Sequence, residues 1–216
     1  PCPLKHTAVD AEISGAIARV SVTQQFHNPF KDKIEAIYVF PLHQDSAVDD
    51  MTMTVGDLIV KGVIKERGEA KRIYEKAKSQ GKVASLLDQE RPNIFTQSVA
   101  NIEPGEQVDI TISYSETLDW KNGEYQFDFP MVVGPRYMPG SAQPSPGEAS
   151  DAGAIKGGGG TAVDTDQVPD ASRISPPVLP EGMRSGRDVT VKVAVDAGTE
   201  IVRVESVGHD VFVEKD

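Results

Sequence analysis

The chain has 216 residues, enough for one large domain or two small ones and for a substantial core. Its 22 Lys and Arg against 33 Asp and Glu leave a charge of −11, which argues against a nucleic-acid or anionic-membrane binder, since either needs a dense basic face. No apolar run approaches the roughly 18 residues that span a bilayer, and the single cysteine, Cys2, excludes an intrachain disulfide framework and a multi-cysteine zinc site.

The chain opens Pro1-Cys2-Pro3 with no initiator Met and no basic-then-apolar leader, which reads as a processed or clipped chain with Cys2 an incidental thiol. Ala18, Val20, Val22 and Phe26 alternate with Arg19, Ser21, Thr23 and Gln25, the period of a strand with one wet face, and Asn28-Pro29 ends it. Ile34–Phe40 is a second strand stopped by Pro41, and Met51, Met53 and Val55 share a face of a third. Gly56-Asp57 turns the chain into Leu58–Ile64 as a hairpin. The spacing of Ala70, Ile73, Tyr74 and Ala77 then predicts one amphipathic helix over about 66–81, with Gly81 placed to end it in a left-handed conformation. Strands resume at Ile94–Ile102, Val108–Tyr114 and Tyr125–Phe129, joined through Pro104-Gly105, which fits a type II turn, and through the hairpin signal Asn122-Gly123.

Of the 13 aromatic residues, 12 lie between Phe26 and Tyr137, and none lies between Pro139 and Gly186. Those 48 residues hold 9 of the 19 glycines, including the run Gly157–Gly160, and 7 of the 15 prolines. Little there can pack, so 139–186 reads as an irregular linker between a domain at 1–138 and strands at 187–216. Val189, Val191, Val193 and Val195 alternate cleanly in that last part. Its strands either complete the first domain or start another one, and the second arrangement is expected. The fold class expected is mostly β, an antiparallel β-sandwich with one inserted helix.

Enzyme signatures are missing. There is no Gly-x-Ser-x-Gly elbow, and Gly157–Gly160 is followed by Thr161-Ala162 rather than Gly-Lys-Ser/Thr. His6, His27, His43 and His209 are scattered without ligand spacing. Asp45, Asp49 and Asp50 share a loop, but nothing fixes their convergence on a cation. Asp164-Thr165-Asp166 begins like a calcium loop, then Val168 and Pro169 stand where an acid and the turning Gly belong. No catalytic residue, metal site or cofactor is expected.

The most distinctive stretch runs from Leu86 to Gly105 and contains Arg91-Pro92-Asn93-Ile94-Phe95-Thr96-Gln97. Upstream stand Ile37-Tyr38-Val39-Phe40-Pro41-Leu42 and Gly62-x-Ile64 leading into the helix, and downstream Phe129-Pro130. In this order they resemble the vault protein inter-alpha-trypsin domain of inter-alpha-trypsin inhibitor heavy chains and related vault and bacterial proteins. The likeness covers about residues 4–138, and the later segments look like the bacterial branch.

The resemblance implies a non-catalytic interaction and scaffolding module of a larger, exported, extracellular or cell-surface protein. The expected partner is a following von Willebrand type A domain in the same polypeptide. The nearest approach to that domain's Asp-x-Ser-x-Ser metal motif is Asp170-Ala171-Ser172, where Ile174 breaks the spacing. The alternatives are a small-ligand or carbohydrate-binding sandwich and, further off, a hydrolase. Arg91, Pro92, Asn93, Phe95, Gln97, Asn101, Pro104 and Gly105 are expected to specify the fold rather than to hold a ligand. Pro92 and Pro104-Gly105 bracket a strand whose faces read as Ile94, Thr96, Ser98, Ala100 and Ile102 against Phe95, Gln97, Val99 and Asn101.

Overall fold

Alternating small apolar and polar residues build the larger of two facing sheets. A computed structural model describes residues 3–133, 137–143, 162–176, 186–207 and 209–214; Cys2 and the Gly157–Gly160 run lie outside the described residues. Strand β1 (Leu4–Ser14) buries Thr7, Val9, Ala11 and Ile13 and exposes Asp10, Glu12 and Ser14. It turns at Gly15, which has a positive φ, into β2 (Ile17–His27), which buries Ala18, Val20, Val22, Gln24 and Phe26. The strand pattern read from the sequence begins only at Ala18, so β1 is an addition. Val9, Ala11 and Ile13 do alternate with Asp10, Glu12 and Ser14, but the bulge between Leu4 and His6 sets the buried Leu4 and Thr7 three apart and breaks the period before them.

The chain crosses to the second sheet with β3 (Ile34–Pro41), returns with the hairpin of β4 (Ala47–Val55) and β5 (Leu58–Lys61), and then forms α1 (Arg67–Ser79). Glu66 caps α1 by accepting the Gly68 and Glu69 amides at 2.9 and 3.1 Å, and those bonds hold its carboxyl below the usual range. Gly81, at φ 71, follows the helix as expected. Of the apolar stripe, only Tyr74 is buried, while Ile73 stays half exposed.

Next come β6 (Ala84–Arg91), β7 (Ile94–Ile102) and β8 (Gln107–Thr117), then β9 (Asp119–Lys121) and β10 (Glu124–Gln126), the four-residue α2 (Ala171–Ile174), and β11 (Asp188–Asp196). The order is β11-β1-β2-β8-β4-β5 in the large sheet and β3-β7-β6 in the small one, with β9 and β10 a separate ribbon. All pairs are antiparallel except β1 with β11. Val9, Val20, Val22, Phe26, Ile110, Ile112 and Tyr114 of the large sheet meet Ala36, Phe40, Phe95, Val99 and Ile102 of the small one in a single core. The chain is mostly β, a sandwich carrying one long helix.

Local turn chemistry is as expected, but the hairpin at Asn122-Gly123 is shorter than the strands it was read as joining. Gly105 has φ 76, and the Glu106 amide donates to the Glu103 carbonyl at 3.0 Å, as a type II turn requires. The strands it joins, β7 and β8, lie in different sheets. Asn122 and Gly123 both have positive φ, the two-residue turn expected there, yet they close only the short β9–β10 ribbon.

The faces of β7 also differ from a strict alternation. The β3–β7 register shifts between Ile34 and Ala36, and opposite that shift Asn101 sits at φ 56. This bulge returns Ile102 to the core beside Phe95 and Val99, away from Ile94, which packs with Val133 and Ile174 in a second cluster. Asn101 also donates through Nδ2 to the Lys78 and Lys82 carbonyls at 2.9 and 2.8 Å, so the bulge holds the C-terminal end of α1.

Asn101→Ala is expected to lower the unfolding free energy by about 3 kcal/mol, and Asn101→Gly by about 1 kcal/mol less, because glycine keeps the left-handed φ and loses only the two bonds. Urea denaturation of the two variants checks this, and equal losses would remove the backbone contribution.

Candidate functional site

The eight motif residues lie along the β6–β7 hairpin and its far turn rather than around one point. Pro92 and Asn93 form the hairpin turn; the Pro92 carbonyl accepts from Gln89 Nε2 at 3.2 Å and the Asn93 carbonyl accepts the Leu42 amide at 3.3 Å. Phe95 is buried and stacks on Phe40, ring centres 6.0 Å apart. Gln97 is fully buried and donates from Nε2 to Ser85 Oγ at 2.7 Å and to the Leu86 and Ser98 carbonyls at 3.2 and 3.3 Å. Those two carbonyls orient its amide and leave Oε1 without a donor. At the other end, about 25 Å away along the strand, Asn101 binds the helix and the Gly105 amide donates to the Asn28 carbonyl at 2.9 Å.

Asn28 was read only as a strand terminator. It is fully buried, and its Nδ2 donates to the Ile102 and Asp32 carbonyls at 2.8 Å each. A buried asparagine between two sheets is a clamp, and its position before Pro29 is the sole sequence signal.

Arg91 joins the hairpin to a segment that composition left with little to pack. Its guanidinium meets Asp170 at 2.7 and 3.1 Å. Beside it the Glu90 carboxylate, with a fully buried side chain, lies between Arg67 at 2.5 Å and Arg173, while Asp88 takes Arg67 at 2.9 Å. Ile174 and Ala171 are buried there, Ile174 against Ile94 and Val133. Apolar burial by small aliphatic side chains and charge pairing thus hold residues 162–176 on the small sheet without any aromatic ring. Arg91 also holds the Asp170 carboxyl below the usual range through these hydrogen bonds.

The loop acids serve backbone and charge pairing. Asp164 Oδ1 accepts the Ser172 amide at 2.8 Å, Asp166 Oδ1 accepts the Ser141 amide at 2.7 Å, and Thr165 Oγ1 donates to the Pro139 carbonyl at 2.7 Å. Gly140, at φ 103, lies so close that a Cβ would come within 2.3 Å of Asp166 Oδ1. Asp49 is paired with Arg19 at 2.7 and 3.1 Å. Among the described residues no three His, Cys, Asp or Glu side chains converge on one point.

The feature that reads as a binding site lies at the open side of the sandwich. A cleft of about 200 Å³ is walled by Tyr38, Phe40, Phe129 and Met131 and floored by Gln24 and Thr7. Thr7 and Gln24 are direct cross-strand partners, 7% and 2% exposed, and neither side chain makes a hydrogen bond among the described residues. Arg187 stands at the lip, 5.2 Å from the Tyr38 ring centre, and donates to the Tyr38 hydroxyl at 2.9 Å. The sequence carried a signal for this floor: a period of two places Gln24 inward between Val22 and Phe26.

Two facing sheets, a helix on the outer face of the smaller one and a cleft with no converging His, Cys, Asp or Glu cluster among the described residues define a β-sandwich module. The family described as the vault protein inter-alpha-trypsin domain matches residues 4–114. The chain belongs to that family. Human von Willebrand factor A domain-containing protein 5A is 35% identical over 141 residues, covering 64% of this chain and 18% of its own. Mouse protein mono-ADP-ribosyltransferase PARP4 is 36% identical over 135 residues, covering 62% and 7%. Human inter-alpha-trypsin inhibitor heavy chain H6 is 30% identical over 110 residues, covering 50% and 8%. The chain therefore spans less than a fifth of each of these relatives. Among solved structures, yeast LTA4 hydrolase aligns over 53% of this chain and 14% of its own at 14% identity, with a TM-score of 0.29 that carries no functional argument.

Two outcomes follow from the charge cluster. Replacing both Arg67 and Arg173 by Met leaves Glu90 a buried, unpaired carboxylate and is expected to cost about 3–5 kcal/mol, measured by urea unfolding at neutral pH. The depressed Asp170 carboxyl contributes stability above the ordinary Asp range, and that contribution is lost as pH falls through its lower folded value. The Ile174 methyl signal is therefore expected to move toward an undocked position only below about pH 4. A transition centred near pH 6 would point to another group.

Proposed function

We propose that this chain is a non-catalytic interaction and scaffolding module of a larger exported polypeptide, extracellular or at the cell surface, that supports and orients a von Willebrand type A domain in the same polypeptide. The observation that carries this reading is β11. It pairs with β1 on one edge only among the described residues. Its register sets Val191, Val193 and Val195 beside Val9, Ala11 and Ile13, on the face that is core elsewhere, yet they remain 44–47% exposed. A nine-residue strand with an open edge and an uncovered apolar face suits a further stretch of polypeptide. In this reading residues 187–216 are where the module at 1–138, after the connection at 139–186, hands over to the next unit.

The relatives agree in kind: one is named for its von Willebrand factor A domain and another is an inter-alpha-trypsin inhibitor heavy chain. The transferase in the name of PARP4 is said of a protein of which the matched part is 7%, and the proposal carries no such activity over to this chain. The motif residues Arg91, Pro92, Asn93, Phe95, Gln97, Asn101, Pro104 and Gly105 serve the fold in this proposal. A second reading, a small-ligand-binding sandwich, has the cleft in its favour and is compatible with the first.

Amide exchange of residues 191–195, compared between this chain and the longer gene product, tests the proposal. At least tenfold slower exchange is expected in the longer protein as the open edge becomes paired or covered. Equal rates would remove the scaffold reading.

A further inference from the structure

We propose that the cleft between β1, β2 and β3 is a binding site for a small one-ring aromatic carboxylate. The inference does not rest on the scaffold reading, since it needs no downstream domain. Four observations carry it.

The floor comes first. The Thr7 hydroxyl and Gln24 carboxamide are more than nine-tenths buried, face the cleft and have no side-chain hydrogen bond among the described residues. Buried polar groups are normally satisfied, so an unused hydroxyl and amide at a core position mark a place where something else completes them. The walls come second. Tyr38 and Phe40 stack at 5.7 Å with their planes 13° apart, and Phe129 faces the same space, which offers a flat apolar slot for a ring.

Charge is third. In a chain carrying −11, no acid is among the described residues that line the cleft, and the one full charge among them is the Arg187 guanidinium. The register explains its position: Val189 pairs with Thr7, and Thr7 with Gln24, so Arg187, two residues before Val189, stands on the same face near that polar row. A carboxylate placed there accepts from the Thr7 hydroxyl and the Gln24 amide within the field of Arg187. Size is fourth. About 200 Å³ falls below the roughly 300–1,000 Å³ of pockets for drug-sized ligands, which limits the occupant to about one ring and a short acid arm. A pyranose fits by volume but not by chemistry. Its hydroxyls point outward all round, whereas this cleft is polar at the floor and lip and apolar along the rest of its walls.

The test is a titration of the full 216-residue chain, followed through the methyl signals of Val22, Val189 and Met131. The probes are phenylacetate, its neutral isostere phenylacetamide, and methyl glucoside. Saturable shifts confined to these methyls are expected with phenylacetate, about tenfold weaker with phenylacetamide, and absent with the glucoside. Arg187→Gln is expected to erase the difference between acid and amide. Gln24→Leu should weaken phenylacetate at least tenfold without lowering the melting temperature, because it removes an unsatisfied polar group from a buried position. No saturable shift with phenylacetate, equal response to acid and amide, response to the glucoside alone, or unchanged binding in Gln24→Leu would each overturn the proposal. The comparison of probes on the unaltered protein stands even where a variant fails to fold.

Discussion

Strand β7 is buried along nearly its whole length, and the rest of the molecule is arranged by the need to cover its two faces. Phe95, Val99 and Ile102 require an apolar layer on one side, which the inward residues of β1, β2 and β8 supply. The other side is covered by two separate pieces. Tyr74 of α1 lies beside Ser98, where a small side chain lets the helix approach, and Ile174 with Val133 covers Ile94. A strand buried on both faces cannot be satisfied by one sheet alone, so the helix and residues 162–176 are structural parts of the sandwich.

Covering that strand forces polar groups inward, and the structure deals with them in two ways. Gln97, Asn28 and Asn101 spend their amides on backbone carbonyls, tying sheet to sheet and sheet to helix. Glu90 is enclosed between two arginines, one of them on 162–176, so a shifted segment would strand a buried charge. Tyr114, like Gln97 at Oε1, keeps an unsatisfied polar atom in the deep core among the described residues. Its hydroxyl has no partner, and burial and the nearby Glu116 raise its pKa. Thr7 and Gln24 differ from all of these because their unused groups face a cleft, which is why that cleft and not the motif strand is the candidate binding site.

Much of this was legible residue by residue. The strands over Ala18–Phe26 and Ile94–Ile102, the helix ending before Gly81, and the Pro104-Gly105 and Asn122-Gly123 turns all rest on interactions within a few residues, and these elements stand where expected. Gln24 was legible too, as a polar residue at an inward position, although period two alone cannot say whether such a residue is clamped or faces a cleft. Harder to read were β1, whose period is broken by the bulge between Leu4 and His6, and the segment around Asp170, where composition argued for a tether. The aromatic count measures how much a segment can bury; it is blind to a salt bridge arriving from residue 91.

The sequence by itself determined the local elements, the mostly β class and the acidic, cysteine-poor character, because backbone sterics and side-chain period act over short distances. The tertiary structure decided which strands share a sheet, where the bulge at Asn101 reverses the faces of β7, and that residues 188–196 lie parallel to residues 6–14. Those outcomes depend on surfaces meeting across long separations, as when His6 reaches Thr190 at 3.1 Å. The low aromatic content acquires its meaning only there: Tyr38 and Phe40 line one cleft with Phe129, which is far from them in the chain.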